Sequence, residues 1–145
     1  MACNTLKNRN YKSIVTAYNN TTQAYIAAGT QLSILGNTAL DAGCSVDAQS
    51  GGFKINHSGT YRFTFDVTSV PAAAGIQTLQ MYNNTIAMPC AVVADTTTAN
   101  GTITQHIETT VYIPVCCNNQ PVITLNIAGV AGDVTHICAN ATRLA

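Results

Sequence analysis

Apolar and polar residues alternate over several stretches of this chain, and this two-residue period is typical of β-strands with one buried face. The clearest stretch covers residues 61–67, and a longer one covers residues 103–115. Successive side chains of a strand point to opposite faces, so one parity of each stretch should pack in a core. The side chains that we expect in this core are Tyr61, Phe63, Phe65, Val67, Ile107, Val111 and Ile113.

Shorter apolar runs predict further strands along the chain. They cover residues 24–28, 31–35, 53–55, 76–82, 122–127 and 135–144. Turn residues such as Asn83-Asn84 and Asn100-Gly101 separate them, because Asn and Gly tolerate the left-handed backbone of tight turns. Roughly eight to ten strands in one domain predict an all-β sandwich or barrel. The surface loops that we expect to carry recognition are residues 41–52, 70–75 and 94–101.

The composition supports an all-β fold and excludes two classes of partner. The 145 residues suffice for one domain and include twelve Ile, eleven Val and twenty-one Thr but one Glu, a balance that favours strands over helices. Charged residues make up 8%, and six cations balance six anions. The chain therefore lacks the basic patch that binding to nucleic acid or to an anionic membrane requires. Its uncharged polar side chains cost less to desolvate than ions do, which favours self-association.

The first 20 residues differ from the rest of the chain, because they are polar and hold three of the six cations. A solvated terminus is one interpretation, and an arm that docks on a partner is the other. We predict an anchoring arm over residues 1–20 and a folded β-domain over residues 21–145. These first residues also lack the apolar run of a secretory signal, so we expect synthesis without secretion. The arm residues expected to contact the partner are Lys7, Arg9, Tyr11 and Lys12.

The cysteines and carboxylates do not form a recognisable metal site. The six cysteines are Cys3, Cys44, Cys90, Cys116, Cys117 and Cys138. None of their spacings is that of a zinc site. Buried thiols are the favoured interpretation, with disulfides formed in an oxidising medium and a metal site as the alternatives. Asp41, Asp47 and Asp95 are scattered, whereas Ca²⁺ needs several clustered oxygens. We therefore expect no metal and no other cofactor.

Several segments follow one another in a characteristic order. Residues 23–30, Gly43-Cys44-Ser45-Val46 and residues 53–65 with the turn Gly59-Thr60-Tyr61 come first. Later segments are Gln80-Met81-Tyr82-Asn83-Asn84, residues 122–129 and residues 139–144. Over roughly residues 22–145 this order resembles the tumour-necrosis-factor-like jelly roll. The most similar branch is the one shared by complement globular heads, spore-surface filament tips and phage virion proteins.

The resemblance implies that residues 21–145 form a two-sheet jelly-roll domain of antiparallel strands that assembles as a compact homotrimer. In that fold the strands at residues 61–67 and 103–115 are neighbours in the inner sheet, whose outer surface forms the trimer seam. The polar parity of the two strands would then bring five side chains to the seam. These side chains are Arg62, Asp66, His106, Glu108 and Tyr112.

Two interpretations of these seam residues are open. In the first, Asp66 or Glu108 orients His106 in an acid–base site. In the second, which we favour, hydrogen bonds and ion pairs set the register of the trimer. The sequence shows neither a nucleophile with an organised base nor a glycine-rich phosphate loop, so we predict no catalytic residues and no enzyme.

The function that the resemblance implies is structural. We expect a non-enzymatic protein of a virion surface, made in the host cytoplasm, that is either a bacteriophage head fibre or a capsid decoration trimer. Its expected partners are its own copies and, through the arm, capsid or other virion proteins, but neither nucleic acid nor membrane. The alternative is the receptor- or glycan-binding tip of a tail fibre or of a bacterial spore-surface filament. The chain has no collagen-like stalk, which disfavours the spore-filament and complement architectures.

Overall fold

Two antiparallel sheets form the computed structural model, which describes residues 13–116 and 119–145. The strands of these residues are β1 (Ile14–Asn19), β2 (Gln23–Tyr25), β3 (Thr30–Gln31), β4 (Asn37–Ala42), β5 (Val46–Gln49), β6 (Gly52–Ile55), β7 (Gly59–Pro71), β8 (Gly75–Asn83), β9 (Ile86–Thr97), β10 (Ile103–Ile113), β11 (Val122–Ala128) and β12 (Gly132–Arg143). Since β2 and β3 have three and two residues, ten strands of four residues or more form the body of the domain.

The strands pair in a jelly-roll order. Sheet A runs β10-β7-β12-β1-β4 with β2 beside β12, and sheet B runs β5-β6-β11-β8-β9 with β3 beside β11. Most neighbours are distant in sequence, and every pairing is antiparallel. The predicted all-β, two-sheet jelly roll is therefore confirmed. Among the described residues, no helix is long and apolar enough to cross a membrane.

Alternate residues of β7 build the centre of the core. Tyr61, Phe63, Phe65 and Val67 have no exposed surface. Phe53 of sheet B packs across the sandwich, with its ring centroid 6.2 Å from that of Phe63 and 5.8 Å from that of Phe65. These contacts are the inter-sheet packing expected of facing aromatic parities.

The core residues predicted on β10 differ in how deeply they are buried. Ile107 and Ile113 are buried, as the two-residue period predicts. Val111 has the same parity but is only partly buried, and it packs against the rim of the core. Val111 also lines a surface pocket between the start of β9 and the end of β10, which leaves part of its side chain accessible.

A network of polar side chains fills the interior between Tyr25 and Asp95. The amide of Gln77, which is fully buried, accepts from the Tyr25 hydroxyl and donates to Oγ of Ser69 at 2.9 Å and to Oε1 of Gln105 at 2.8 Å. The Gln105 amide in turn donates to Oδ2 of Asp95 at 2.9 Å. These bonds satisfy the buried amides and link β2, β7, β8, β9 and β10 across the two sheets.

The predicted boundary at residue 20 is corrected by β1. This strand lies inside sheet A between β12 and β4, and its Val15 and Ala17 are fully buried. β1 is therefore part of the jelly roll, and an arm can comprise residues 1–12 at most. Lys7, Arg9, Tyr11 and Lys12 lie outside the described residues. The alternation in β1 is weak because its buried positions are occupied by Val, Ala and Asn.

Two of the predicted loops contain strands. β5 lies within residues 41–52, and β9 extends through Thr97 into the loop predicted at residues 94–101. A β-bulge interrupts the alternation of buried and exposed residues in β9. At this bulge the register of β9 against β8 shifts, and Cys90 adopts a φ of 60°. The Gln80 amide supports this bulge by donating to the carbonyls of Met88 and Ala91 at 2.9 Å and 3.1 Å.

The cysteines do not all have the thiol state that we favoured. Cys44 is disulfide-bonded, which corrects the expectation of a buried thiol at this position. Cys90 and Cys138 are thiols, exposed and partly buried respectively. Hydrophobicity and spacing could not distinguish these cases, because a buried thiol and a buried disulfide sulfur have similar surroundings.

Candidate assembly surface on sheet A

The register between β7 and β10 places four charged or titratable side chains beside one another. His106 lies directly opposite Asp66, Glu108 opposite Thr64, and Thr110 opposite Arg62. All of these residues have the parity that points away from the core, because the intervening residues of both strands face sheet B. We refer to Arg62, Asp66, His106 and Glu108 as the charged cluster.

Two carboxylates hold the cluster together. Nε of Arg62 is 2.7 Å from Oε1 of Glu108, and Nδ1 of His106 is 2.7 Å from Oδ1 of Asp66. Nε2 of His106 is 3.4 Å from the second oxygen of Glu108. The four side chains remain 40–54% exposed, so water screens these ion pairs in a single subunit.

The cluster changes the protonation of His106. The hydrogen bond with Asp66 is the main cause that raises the pKa of His106 above its ordinary value. Burial opposes this rise, and the hydrogen bond with Glu108 adds to it. Because the imidazole faces a carboxylate from each nitrogen, the arrangement favours the charged ring.

β12 and β1 extend the same face with short, mostly uncharged side chains. On β12, which pairs with β7, Cys138 lies opposite Asp66, Asn140 opposite Thr64 and Thr142 opposite Arg62. The amide oxygen of Asn140 accepts a hydrogen bond from Thr16 on β1. A polar pocket of about 200 Å³ opens on this face, lined by Arg62, Thr64, Asn140 and Thr142.

Tyr112 is the one predicted seam residue that does not join the cluster. It lies opposite Thr60 toward the end of β10, with 61% of its surface exposed. There it lines a pocket of about 450 Å³ between the start of β9 and the end of β10. Other lining residues are Ile86, Met88, Pro89, Cys90 and Val111. We refer to this feature as the edge pocket.

The edge pocket was not predicted from the sequence. It depends on β9, whose bulge interrupts the two-residue period, and on the contact between the edges of two different sheets. Ile86 is the most exposed large apolar side chain that the structure describes, at 73%. The sequence signal for this pocket consists of the apolar Ile86 and Met88, which follow the turn Asn83-Asn84.

The geometry of the charged cluster is that of an ion-pair network. Both ring nitrogens of His106 face carboxylate oxygens, and no hydroxyl or thiol of the described residues is hydrogen-bonded to the ring. A general base that activates a nucleophile needs that bond. In residues 13–116 and 119–145 no group of three His, Cys, Asp or Glu side chains is arranged to hold a metal ion.

Comparison with known proteins relates the fold to solved structures. No protein-family model and no curated protein sequence matches this chain. PRD1 vertex protein P5 superposes with a TM-score of 0.69 at 14% identity, over 92% of this chain and 97% of that chain. Murine APRIL superposes with a TM-score of 0.64 at 11% identity, over 92% of this chain and 100% of that chain. The globular domain of zebrafish complement 1qA superposes with a TM-score of 0.63 at 11% identity, over 93% of this chain and 98% of that chain.

These likenesses are far below the identity at which function transfers, so they establish the fold. They extend over nearly the whole length of both partners in each pair. The resemblance noted in the sequence is confirmed: this chain has the jelly-roll fold of tumour-necrosis-factor-like and complement globular domains.

Proposed function

We propose that this protein is a non-enzymatic structural component of a virion surface, a bacteriophage head fibre or capsid decoration protein that assembles as a homotrimer. The observation that carries the proposal is the likeness to PRD1 vertex protein P5, which spans almost all of both chains. The name of that protein describes a component of a vertex. The outer face of sheet A supplies the surface for association.

The outer face of sheet A suits contact with another copy. A closed ring of three identical subunits requires two different patches that meet, one from each neighbour. Ile86 and Tyr112 flank the edge pocket at the β9 and β10 side of the domain. At the opposite side of sheet A, Leu40 of β4 is 46% exposed. We infer that the edge pocket of one subunit meets the β1 and β4 side of the next, with the charged cluster between them.

The arm is the proposed anchor to the particle. Residues 1–12 hold Lys7, Arg9 and Lys12, half of the cations of the chain, together with Tyr11. Their charge contrasts with a domain that otherwise has few ions. A basic segment fits an acidic or polar patch on a capsid protein.

Sedimentation equilibrium tests the assembly. We expect both the full chain and a variant that begins at Ser13 to be trimers, because the association surface lies in sheet A. Monomers in both cases would refute the assembly. Immunogold labelling of particles tests the anchor: full-length protein should label them, and the shortened variant should not. Equal labelling by both would refute the role of the arm.

A glycan-binding tip is the second candidate, favoured by the polar pocket on sheet A. A guanidinium, two hydroxyls and an amide line it, and such groups bind sugar hydroxyls and carboxylates. The two functions compete for one face, because an assembled seam would cover Arg62. Binding of an acidic oligosaccharide to a monomer, lost in Thr64→Val, would favour the second candidate.

A further inference from the structure

The imidazole of His106 lies between two carboxylates, and this geometry matches one protonation state. Nδ1 is 2.7 Å from Oδ1 of Asp66, and Nε2 is 3.4 Å from Oε2 of Glu108. A neutral imidazole has one N–H and one acceptor nitrogen, whereas the imidazolium has two N–H groups. Only the protonated ring can therefore donate to both carboxylates at once.

The charges of the cluster balance only in that same state. Arg62 carries one positive charge, and Asp66 and Glu108 carry one negative charge each. With neutral His106 the cluster has an unpaired negative charge, and protonation of the ring removes it. Water screens this imbalance in a single subunit, because all four side chains are about half exposed.

Among the described residues, the strands around the cluster contribute no further ion pair to it. On β12, Cys138 lies opposite Asp66, and His136 lies opposite Thr68 with its Nδ1 hydrogen-bonded to Oδ1 of Asn20. Burial is the main cause that raises the pKa of the Cys138 thiol, which keeps it neutral. Tyr18 of β1 lies beyond Cys138. Asp95 of β9 accepts a hydrogen bond from the amide of Gln105, whose side chain lies on the buried face of β10. The balance of the cluster therefore depends on His106.

We propose that each subunit takes up a proton at His106 when the subunits associate through sheet A, so that the trimer is tighter in weakly acidic than in alkaline solution. This inference rests on the assembly proposed above. Exclusion of water from the seam makes an unpaired charge costly, whereas a balanced and hydrogen-bonded cluster costs less. Removal of water also strengthens the attraction between the imidazolium and its two carboxylates.

Linkage gives the sign and the size of the effect. Three subunits take up as many as three protons per trimer. Between the pKa of His106 in the single subunit and its higher value in the trimer, the association constant falls by up to about 1,000-fold per pH unit. Below the pKa of His106 in the single subunit and above its pKa in the trimer, the association constant does not change with the protonation of this ring.

Sedimentation equilibrium from about pH 5.5 to about pH 9, the range in which a histidine changes charge, tests the proposal. Wild type, His106→Gln, His106→Lys and a control, His57→Gln, are compared. Wild type and the control should dissociate as the pH rises. His106→Gln should associate weakly throughout, and His106→Lys should stay associated at the alkaline end because its charge persists. Far-UV circular dichroism of each variant checks its fold.

The outcomes separate the two proposals. A wild-type monomer across the range would refute the assembly itself. A trimer with the same association constant throughout, or with its pH dependence retained in His106→Gln, would leave the assembly in place and refute proton uptake. NMR titration of the wild-type His106 ring gives an independent measurement that needs no variant. Its pKa should be higher in the trimer than in the dissociated subunit, and equal values would refute the inference.

Discussion

The two faces of sheet A are made by alternating residues of the same strands, yet they differ in burial, charge and role. Along β7, Phe63 and Phe65 are fully buried and contact Phe53 of sheet B. Their chain neighbours Arg62 and Asp66 are about half exposed and pair with β10. One step along a strand therefore separates a residue that determines folding from one that we propose to determine assembly.

The buried face is itself divided between apolar and polar packing. Around Phe53 the sheets meet through stacked rings, whereas around Gln77 they meet through directed hydrogen bonds. Packed aromatic rings tolerate small shifts, whereas the Gln77 side-chain amide, with three hydrogen-bond partners, does not. The polar region therefore constrains how the two sheets are aligned, whereas the aromatic region contributes apolar burial without that directional constraint.

The largest effect should come from the buried face. Phe65→Ala removes a fully buried ring that contacts Phe53, and we expect the free energy of unfolding to fall by about 3–5 kcal/mol. Urea unfolding followed by circular dichroism, at high dilution so that association does not contribute, measures it. Thr64→Ala is the matched control on the outer face, with an expected change of under about 0.5 kcal/mol. Equal losses in both variants would contradict the division between the faces.

A smaller loss should follow from the polar part of the interior. Gln77→Leu leaves Tyr25, Ser69 and Gln105 without their buried partner, and we expect a loss of about 1–3 kcal/mol. The same urea experiment measures it. Thr78→Val, on the outer parity of β8, is the control and should change stability little. A Gln77→Leu protein as stable as wild type would show that the network contributes nothing to the alignment of the sheets.

On the outer face, Asp66→Ala should separate assembly from folding. Loss of a half-exposed ion pair should lower the unfolding free energy by under about 1 kcal/mol. In a seam it would leave His106 without its main partner, so the association should weaken at least about tenfold. Sedimentation equilibrium measures the association, with Thr96→Ala on sheet B as control. Unchanged sedimentation would exclude this face as the seam.

The smallest effect is the pH dependence of the isolated subunit. The pKa of His106 is raised above its ordinary 6.5 in the folded state, so the stability from the cluster is fully present below that value. It is lost as the pH rises through the raised pKa. At high dilution, urea midpoints should therefore fall slightly from acidic to alkaline solution. The decrease should be absent in His106→Gln, and a rise would contradict the assigned sign.

Alternation along the chain predicted these two faces well. The aromatic parity of β7 and the charged parity of β10 follow from the sequence, because the direction of a side chain in a strand depends only on its position. The family resemblance then brought Arg62, Asp66, His106 and Glu108 together, and the register of β7 and β10 agrees. Tyr112 has the right parity but lies at the edge pocket, because distance along a strand separates it from the cluster.

Other features depended on contacts between distant segments, which the alternation along a single strand does not predict. The membership of β1 in sheet A arises from its pairing with β12 and β4, which lie at distant places in the sequence. The bulge of β9 and the edge pocket depend on how the edges of two sheets meet. The disulfide at Cys44 and the partners of Gln77 require the same non-local information.

The sequence by itself therefore determined that this protein is all-β, and which side chains of its clearest strands face inward or outward, while its family resemblance implied the jelly roll. The tertiary structure decided which strands are neighbours, which polar groups share a bond, and where the surface opens into a pocket. The physical reason is that side-chain direction is local to a strand, whereas register, edge position and buried hydrogen bonds arise only when distant segments meet.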